Sequence, residues 1–288
     1  MEKQINELIE KYKLSQEEHN IVLELLKKDL FVDKIAEKNP SIMFVVGQPG
    51  CGKTTFIKAS SLSKYIIINS DDYRRFSKFS NEILDIYPTD YAKLTNFDAH
   101  LWGDELFNYA IQNGYSVLRE KAPTDYSLLE LVKTIPHNYD VVINVVVAGN
   151  LSSLLATRER YEKEISKSNN AKLSNIEAHN KCYTLLPDFI LGCLTLGVKV
   201  NYIIPNIDQF KVISVKDDYL NLLQELRNES NRYTYFTYGS RMDSIKKSMI
   251  NRNASKDQFK ELNKIEKIYL DLMRDESKKR INNINIIL

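Results

Sequence analysis

Cysteine is scarce: three in 288 residues, too few for a disulfide framework. Cys182 and Cys193 stand eleven apart in a stretch that reads as helix, with no C-x-x-C and no paired histidines nearby. That argues against a zinc site and fits a reducing cytoplasm. Histidine is also sparse. His19, His100, His137 and His179 are scattered and read as surface or core residues rather than metal ligands. No apolar run is long enough to span a bilayer. The opening Met1-Glu2-Lys3-Gln4 leads into a charged amphipathic helix and lacks the apolar core of a signal peptide. Charge of one sign is missing too: the net charge is +2, which argues for neither nucleic acid nor membrane as a partner. There is no internal repeat and no low-complexity tract.

Against that background one stretch stands out. Residues 41–55 read SIMFVVGQPGCGKTT, and Gly47 to Thr54 fills every fixed position of G-x-x-x-x-G-K-[ST]. The apolar run Ile42–Val46 reads as a buried parallel strand before it, and a helix can begin at Lys53. Such a loop curls backbone N–H groups around an anion, and the helix N-terminus adds positive partial charge. The pattern therefore assigns Gly47, Gln48, Pro49, Gly50, Cys51, Gly52, Lys53, Thr54 and Thr55 to a bound nucleoside triphosphate. Lys53 would reach the β- and γ-phosphates, and the Thr54 hydroxyl would hold Mg²⁺.

The rest of the chain supports an α/β fold. Apolar runs at 42–46, 65–68, 115–118, 141–147 and 198–204 alternate with helical stretches, and Gln209–Val215 has the character of one more strand. That pattern predicts a doubly wound, mostly parallel sheet with helices on both faces. Residues 1–38 read as a helical extension with a capping box at Ser15 and Glu18, and with Ile21, Leu23, Leu25, Leu26 and Leu30 as its apolar face. Residues 39–228 form the loop-bearing domain. Residues 229–288 read as a C-terminal extension: an aromatic segment at 231–239, taken as strand or ordered loop, followed by a helical hairpin over 241–282.

In doubly wound sheets ligands gather at the carboxyl ends of the strands. After the second run comes Asn69-Ser70-Asp71-Asp72-Tyr73-Arg74. Asp71 is placed to accept the proton of an attacking hydroxyl or to help hold Mg²⁺. The competing reading is helix capping, and for Asp72 capping comes first and acceptor contact second. After the third run, Glu120 and Lys121 point to an acceptor, with Thr124 or Asp125 as caps. After the fourth, a helix carries Arg158-Glu159-Arg160-Tyr161-Glu162, followed by a polar stretch at 163–174. Arg160 and Lys172 flank that stretch and suit a lid that neutralises a moving phosphoryl group. The competing reading is a solvated face with i,i+3 and i,i+4 ion pairs.

Taken in order, these segments resemble the zeta toxin family, P-loop kinases of bacterial toxin–antitoxin systems whose best-known members phosphorylate UDP-N-acetylglucosamine. The matching pieces are GQPGCGKTT (47–55), NSDDYR (69–74), NGYSVLRE (113–120), VVVAGNLSSLLATRERYE (145–162) and AHNKCYTLLP (178–187). The resemblance implies a phosphotransferase with an alcohol acceptor, ATP or GTP as donor with Mg²⁺, and an antitoxin partner. It implies that Asp71 is the base, that Arg160 and Lys172 are the lid cations, and that Glu120 is the glutamate of the family's E-G-T-x-R-T motif. Here that stretch reads Glu120-Lys121-Ala122-Pro123-Thr124-Asp125, without the glycine, threonine and arginine that hold the nucleotide sugar. Relatives with other acceptors exist, NAD among them. The alternatives are therefore a kinase of another small acceptor, a nucleoside or a nucleic-acid 5′ end, or a nucleotide-binding interaction module.

Overall fold

The structure, a computed structural model, describes residues 2–87, 90–167, 171, 173–206 and 209–287, apart from the side chains of 2–4 and 275–287. Helices α1 (Glu2–Tyr12) and α2 (Gln16–Phe31) precede strand β1 (Ser41–Val46). Helix α3 (Lys53–Ala59), strand β2 (Ile66–Ile68) and the short helix α4 (Ser70–Tyr73) follow. Then come α5 (Ser80–Ile86), α6 (Tyr91–Leu94), α7 (Asn96–Gln112), β3 (Val117–Lys121), α8 (Ser127–Lys133) and β4 (Asp140–Val146). The chain continues through α9 (Asn150–Ile165), α10 (Ile176–Thr195), β5 (Lys199–Pro205) and β6 (Phe210–Ser214). It ends in the long helices α11 (Tyr219–Asn251) and α12 (Lys256–Ile287).

The six strands form one sheet in the order β2-β3-β1-β4-β5-β6. All neighbours pair in parallel except β5 and β6, which are antiparallel. Alternate side chains of β1 serve opposite faces, as the pleat requires. Ile42, Phe44 and Val46 enter the main core with Trp102, Leu106 and Phe107 of α7 and Leu186, Phe189 and Ile190 of α10. Val45 faces a smaller core with Cys51, Phe56, Leu118 and Val146. The expected doubly wound sheet with helices on both faces is the fold observed. Among the described residues, no helix is long and apolar enough to cross a membrane.

Several expectations are corrected. The third strand runs to Lys121, so Glu120 and Lys121 lie in its last turn of pleat rather than beyond it. They pair in register with Val45 and Val46 of β1. The segment 231–239 is neither strand nor loop but the middle of α11, which crosses residues 228 and 229 without a break. Tertiary spacing decides this. Arg227, Asn231, Thr234, Tyr238, Met242, Ile245 and Met249 recur every three or four positions and are all buried. The lower part of that face packs on Leu151, Leu154 and Leu155 of α9, with Leu262 and Ile265 of α12. The chain reverses between α11 and α12 through Asn253 in the left-handed region, at φ 54°. In α2 the Ser15–Glu18 capping box forms. Leu23 and Leu26 are buried and Leu30 packs on the core, but Ile21 and Leu25 are exposed.

Candidate functional site

The turn after β1 is built around positive backbone angles. Gly50 has φ 81°, and a Cβ there would lie 2.1 Å from the Ser153 carbonyl oxygen. Gly47 has φ 151°, and a Cβ there would meet Cys51 Sγ at 2.6 Å and the Val146 carbonyl at 2.8 Å. Only glycine fits either place. Inside the turn Lys53, the first residue of α3, is buried. Its Nζ donates to the carbonyls of Gly47 (2.9 Å) and Gln48 (3.2 Å) and stands 3.9 Å from Glu120 Oε1. Thr54 Oγ1 donates to Glu120 Oε2 at 3.1 Å. The carboxylate at the end of β3 thus meets both Lys53 and Thr54. Thr54 and Thr55 are exposed at its mouth, and Pro49 is half-buried. Cys51 turns into the small core beneath, where burial pushes its thiol pKa up.

Gln48 is fully buried and ties the loop to the other half of the sheet. Its Nε2 donates to the Ala148 carbonyl (2.9 Å) and to Ser153 Oγ (3.3 Å). Ser153 Oγ in turn lies 2.8 Å from His179 Nε2, and His179 Nδ1 is 3.0 Å from Asn180 Oδ1. Burial lowers the His179 pKa to about 4. The Asn180 hydrogen bond opposes that shift and the Lys53 charge adds to it. His179 is therefore neutral in neutral solution.

At the end of β2 the helix cap is Asn69, whose Oδ1 accepts from Asp71 N. This leaves the Asp71 carboxylate for Arg74, which donates to it from Nε (2.9 Å) and Nη2 (2.7 Å). Arg74 is itself buried, and it donates to the Ala92 carbonyl, Thr95 Oγ1 and Asn96 Oδ1. Asp72 is exposed and accepts from Asn69 Nδ2. Lys121 faces the opposite side of the sheet from Glu120. It stands 4.0 Å from Asp104 of α7, the carboxylate that also accepts from the buried Arg119 at 2.6 Å. Burial lowers the Lys121 pKa to about 8, and the Arg119 charge adds to that, while Asp104 and Asp125 oppose it. His100 lies one turn before Asp104. Desolvation lowers its pKa, followed by the Lys121 and Arg74 cations, against the pull of Asp71 and Asp104. Asp125 accepts from the Ser127 N–H and hydroxyl in a side-chain turn just before α8, whose cap position is Tyr126.

On α9, Arg160 is half-exposed. Its Nη2 donates to Ser174 Oγ at 3.1 Å, and its Nε lies 3.9 Å from Glu164. Lys172 lies outside the described residues. Of the acidic residues around Arg160, Glu164 makes a local i,i+4 pair with it, whereas Glu159 and Glu162 pair with another part of the chain. Glu159 accepts from Arg241 of α11 and Glu162 from Arg252, which caps the end of that helix.

A family model described as zeta toxin matches residues 27–193, more than half of the chain. The chain belongs to the zeta toxin family. Among its relatives are the "Toxin zeta" proteins of Streptococcus agalactiae and Streptococcus pyogenes. Each is 24% identical, over 135 and 140 residues, covering 45% and 47% of this chain and 47% and 49% of theirs. The chain thus spans about half the length of the curated relatives it matches. A chain from the PezAT chromosomal toxin–antitoxin system of Streptococcus pneumoniae has the same fold. Its TM-score is 0.68 at 20% identity, covering 81% of this chain and 98% of that one.

In this zeta toxin family member the structure groups the loop residues with Glu120, and Asp71 with Arg74. It separates Glu120 from Lys121, which sequence reasoning had put together. What that reasoning missed was the part of α7 beside Lys121: His100 and Asp104, one turn apart on the helix. No motif marks them, and only their i,i+4 spacing on a single helix was there to be seen. The link from Gln48 through Ser153 to His179 was missed as well. Among the described residues no three His, Cys, Asp or Glu groups form a metal cluster.

Proposed function

We propose that the protein is a kinase of the zeta toxin type, moving the γ-phosphoryl group of ATP or GTP to a hydroxyl of a small nucleotide-containing acceptor. The observation that carries this reading is the meeting of Lys53, Thr54 and Glu120 at the mouth of the loop. Lys53, with two of its three N–H groups on the loop carbonyls, would turn the third to a phosphate oxygen. Thr54 Oγ1 and Glu120 Oε2, 3.1 Å apart, are hard oxygen donors of the kind Mg²⁺ takes, and they would hold it in preference to Asp71. When bound, Mg²⁺ neutralises phosphate charge. Asp71, oriented by the buried Arg74, would accept the proton of the acceptor hydroxyl. Arg160, with Lys172, would balance the charge of the phosphoryl group in transit. Such catalysis is mostly positioning and charge neutralisation.

The acceptor would lie between Asp71, His100, Asp104 and Lys121. UDP-N-acetylglucosamine is the first compound to try, and Lys121 would meet an anionic part of whichever acceptor binds. Belonging to this family also supports an antitoxin partner. Three buried, unpaired cysteines support a cytoplasmic setting.

The test is direct. Asp71→Asn should lower transfer from γ-labelled ATP by about 10²–10⁴-fold while nucleotide binding persists. Unchanged turnover would sink the base assignment. Lys53→Ala should lower triphosphate affinity, turnover or both, and full activity would remove the loop from the mechanism. Mass spectrometry of metabolites that gain a phosphate during expression would name the acceptor.

A further inference from the structure

Helix α9 is held at both ends. Its first turns abut the loop, through Gln48 Nε2 on Ser153 Oγ and through the Ser153 carbonyl against Gly50. Its last turns are gripped by the α11–α12 hairpin. Both oxygens of Glu159 accept from Arg241, at 2.6 Å each. Glu162 accepts from Arg252 at 2.9 and 2.7 Å and from Ser248 Oγ at 2.8 Å. Tyr161 OH accepts from Gln258 Nε2 at 3.0 Å, and Arg158 lies 3.6 Å from Glu261. Between these anchors Arg160 turns elsewhere, to Ser174 and Glu164.

Two features set these contacts apart from ordinary packing. Arg241 and Arg252 reach residues 82 and 90 positions away, each through a two-nitrogen fork, and that geometry fixes direction as well as distance. The hairpin already has an apolar seam on α9, made by Tyr238, Met242, Ile245, Leu262 and Ile265. A half-buried ion pair adds little net stability beside such a seam, because desolvation offsets the attraction.

We propose that the α11–α12 hairpin is a brace for the lid cation. Arg241 and Arg252 are positioning residues that hold Glu159 and Glu162, so that Arg160, about 100° round the helix from Glu159, is presented to the phosphoryl group in one direction. The inference rests on the assignment of Arg160 made above.

The experiment uses the full chain, γ-labelled ATP and a protein-free bacterial metabolite extract as the acceptor pool, so that it does not depend on knowing the acceptor. Affinity for a fluorescent ATP analogue is measured beside the transfer rate. Arg241→Gln should lower the rate by about tenfold or more, since small misplacements of a catalytic group cost that much, and should leave nucleotide affinity within about twofold. The exchange Glu159→Arg with Arg241→Glu should recover most of the rate. The paired change Glu162→Gln with Arg252→Gln leaves no lone buried charge and should act like Arg241→Gln. If that protein does not fold, the more exposed Glu159–Arg241 pair carries the test. Arg160→Ala is run in parallel. Wild-type transfer in folded Arg241→Gln, with transfer lost in Arg160→Ala, would overturn the brace and leave the lid assignment standing. Wild-type transfer in Arg160→Ala would remove both. Rate and nucleotide affinity falling together, with no recovery in the exchange, would overturn the brace in favour of a general role in folding.

Discussion

His179 sits where charge is hardest to keep, fully buried behind the loop and within the field of Lys53. Its folded pKa of about 4 lies below the ordinary value of 6.5. As pH falls below 6.5 the unfolded chain takes up a proton that the folded chain refuses until about 4. Stability from this residue is thus present above pH 6.5 and is lost as pH falls toward 4. Exchange of His179 for Gln keeps a partner for Ser153 and removes the titration. Urea midpoints measured from pH 7 to pH 4 should fall less steeply in His179→Gln than in the parent. Equal slopes would show that the ring protonates alike in both states. At this scale the loop was legible in the sequence, because its glycines and lysine are dictated by local geometry. The Asp71–Arg74 pair was not read from the sequence, where Asp71 reads as base, metal ligand or cap, although the two stand one helical turn apart. The split between Glu120 and Lys121 was not, because the strand end had been placed three residues early. Side-chain direction in a strand flips with each residue.

Helix α9 and the loop approach so closely that backbone takes the place of side chain. Gly50→Ala would place a methyl group against the Ser153 carbonyl and hold a non-glycine residue at φ 81°. Such strain is worth about 1–3 kcal/mol. The loop must shift away from α9, and affinity for ATP, measured by calorimetry, should fall by about tenfold or more. Retained affinity would mean that the loop moves without losing its shape. The elements themselves were mostly readable from the sequence. Buried parallel strands announce themselves as short Val- and Ile-rich runs. The middle of α11 did not, since Tyr, Thr and Phe suit strands as well as helices. Its state is decided by the apolar stripe it presents to α9, a partner some eighty residues earlier in the chain. The ion pairs of the Arg158–Glu162 run escaped notice for the same reason. Apart from Arg160 with Glu164, they cross between elements, whereas spacing along one helix shows only local pairs.

Helix α2 and the Leu14 that leads into it are part of the main core rather than a detachable cover, while Tyr12 of α1 packs in a smaller cluster with Ile83 and Leu94. Leu14, Leu23 and Leu26 join the cluster that holds α7 and the sheet. His19 lies 3.1 Å from Asp98 and 2.8 Å from Glu105, and its carbonyl accepts from Trp102 Nε1. Burying each large apolar side chain contributes about 1.5–3 kcal/mol. Removing residues 1–38 would therefore take away much of a typical stability of about 5–15 kcal/mol. Trp102, the single tryptophan, is buried and stacks on His19 at 5.2 Å. The truncated chain should melt lower and show red-shifted tryptophan emission. A truncation as stable as the parent, with unshifted emission, would make the helices dispensable.

The whole molecule also determines what Lys53 would bring to an anionic ligand. Held by two loop carbonyls beneath the exposed Thr54, its side chain has already given up its rotational freedom. For a buried lysine that entropy is about 1.5–2 kcal/mol. It is lost when the chain folds, so an arriving anion meets an ammonium group that is already still.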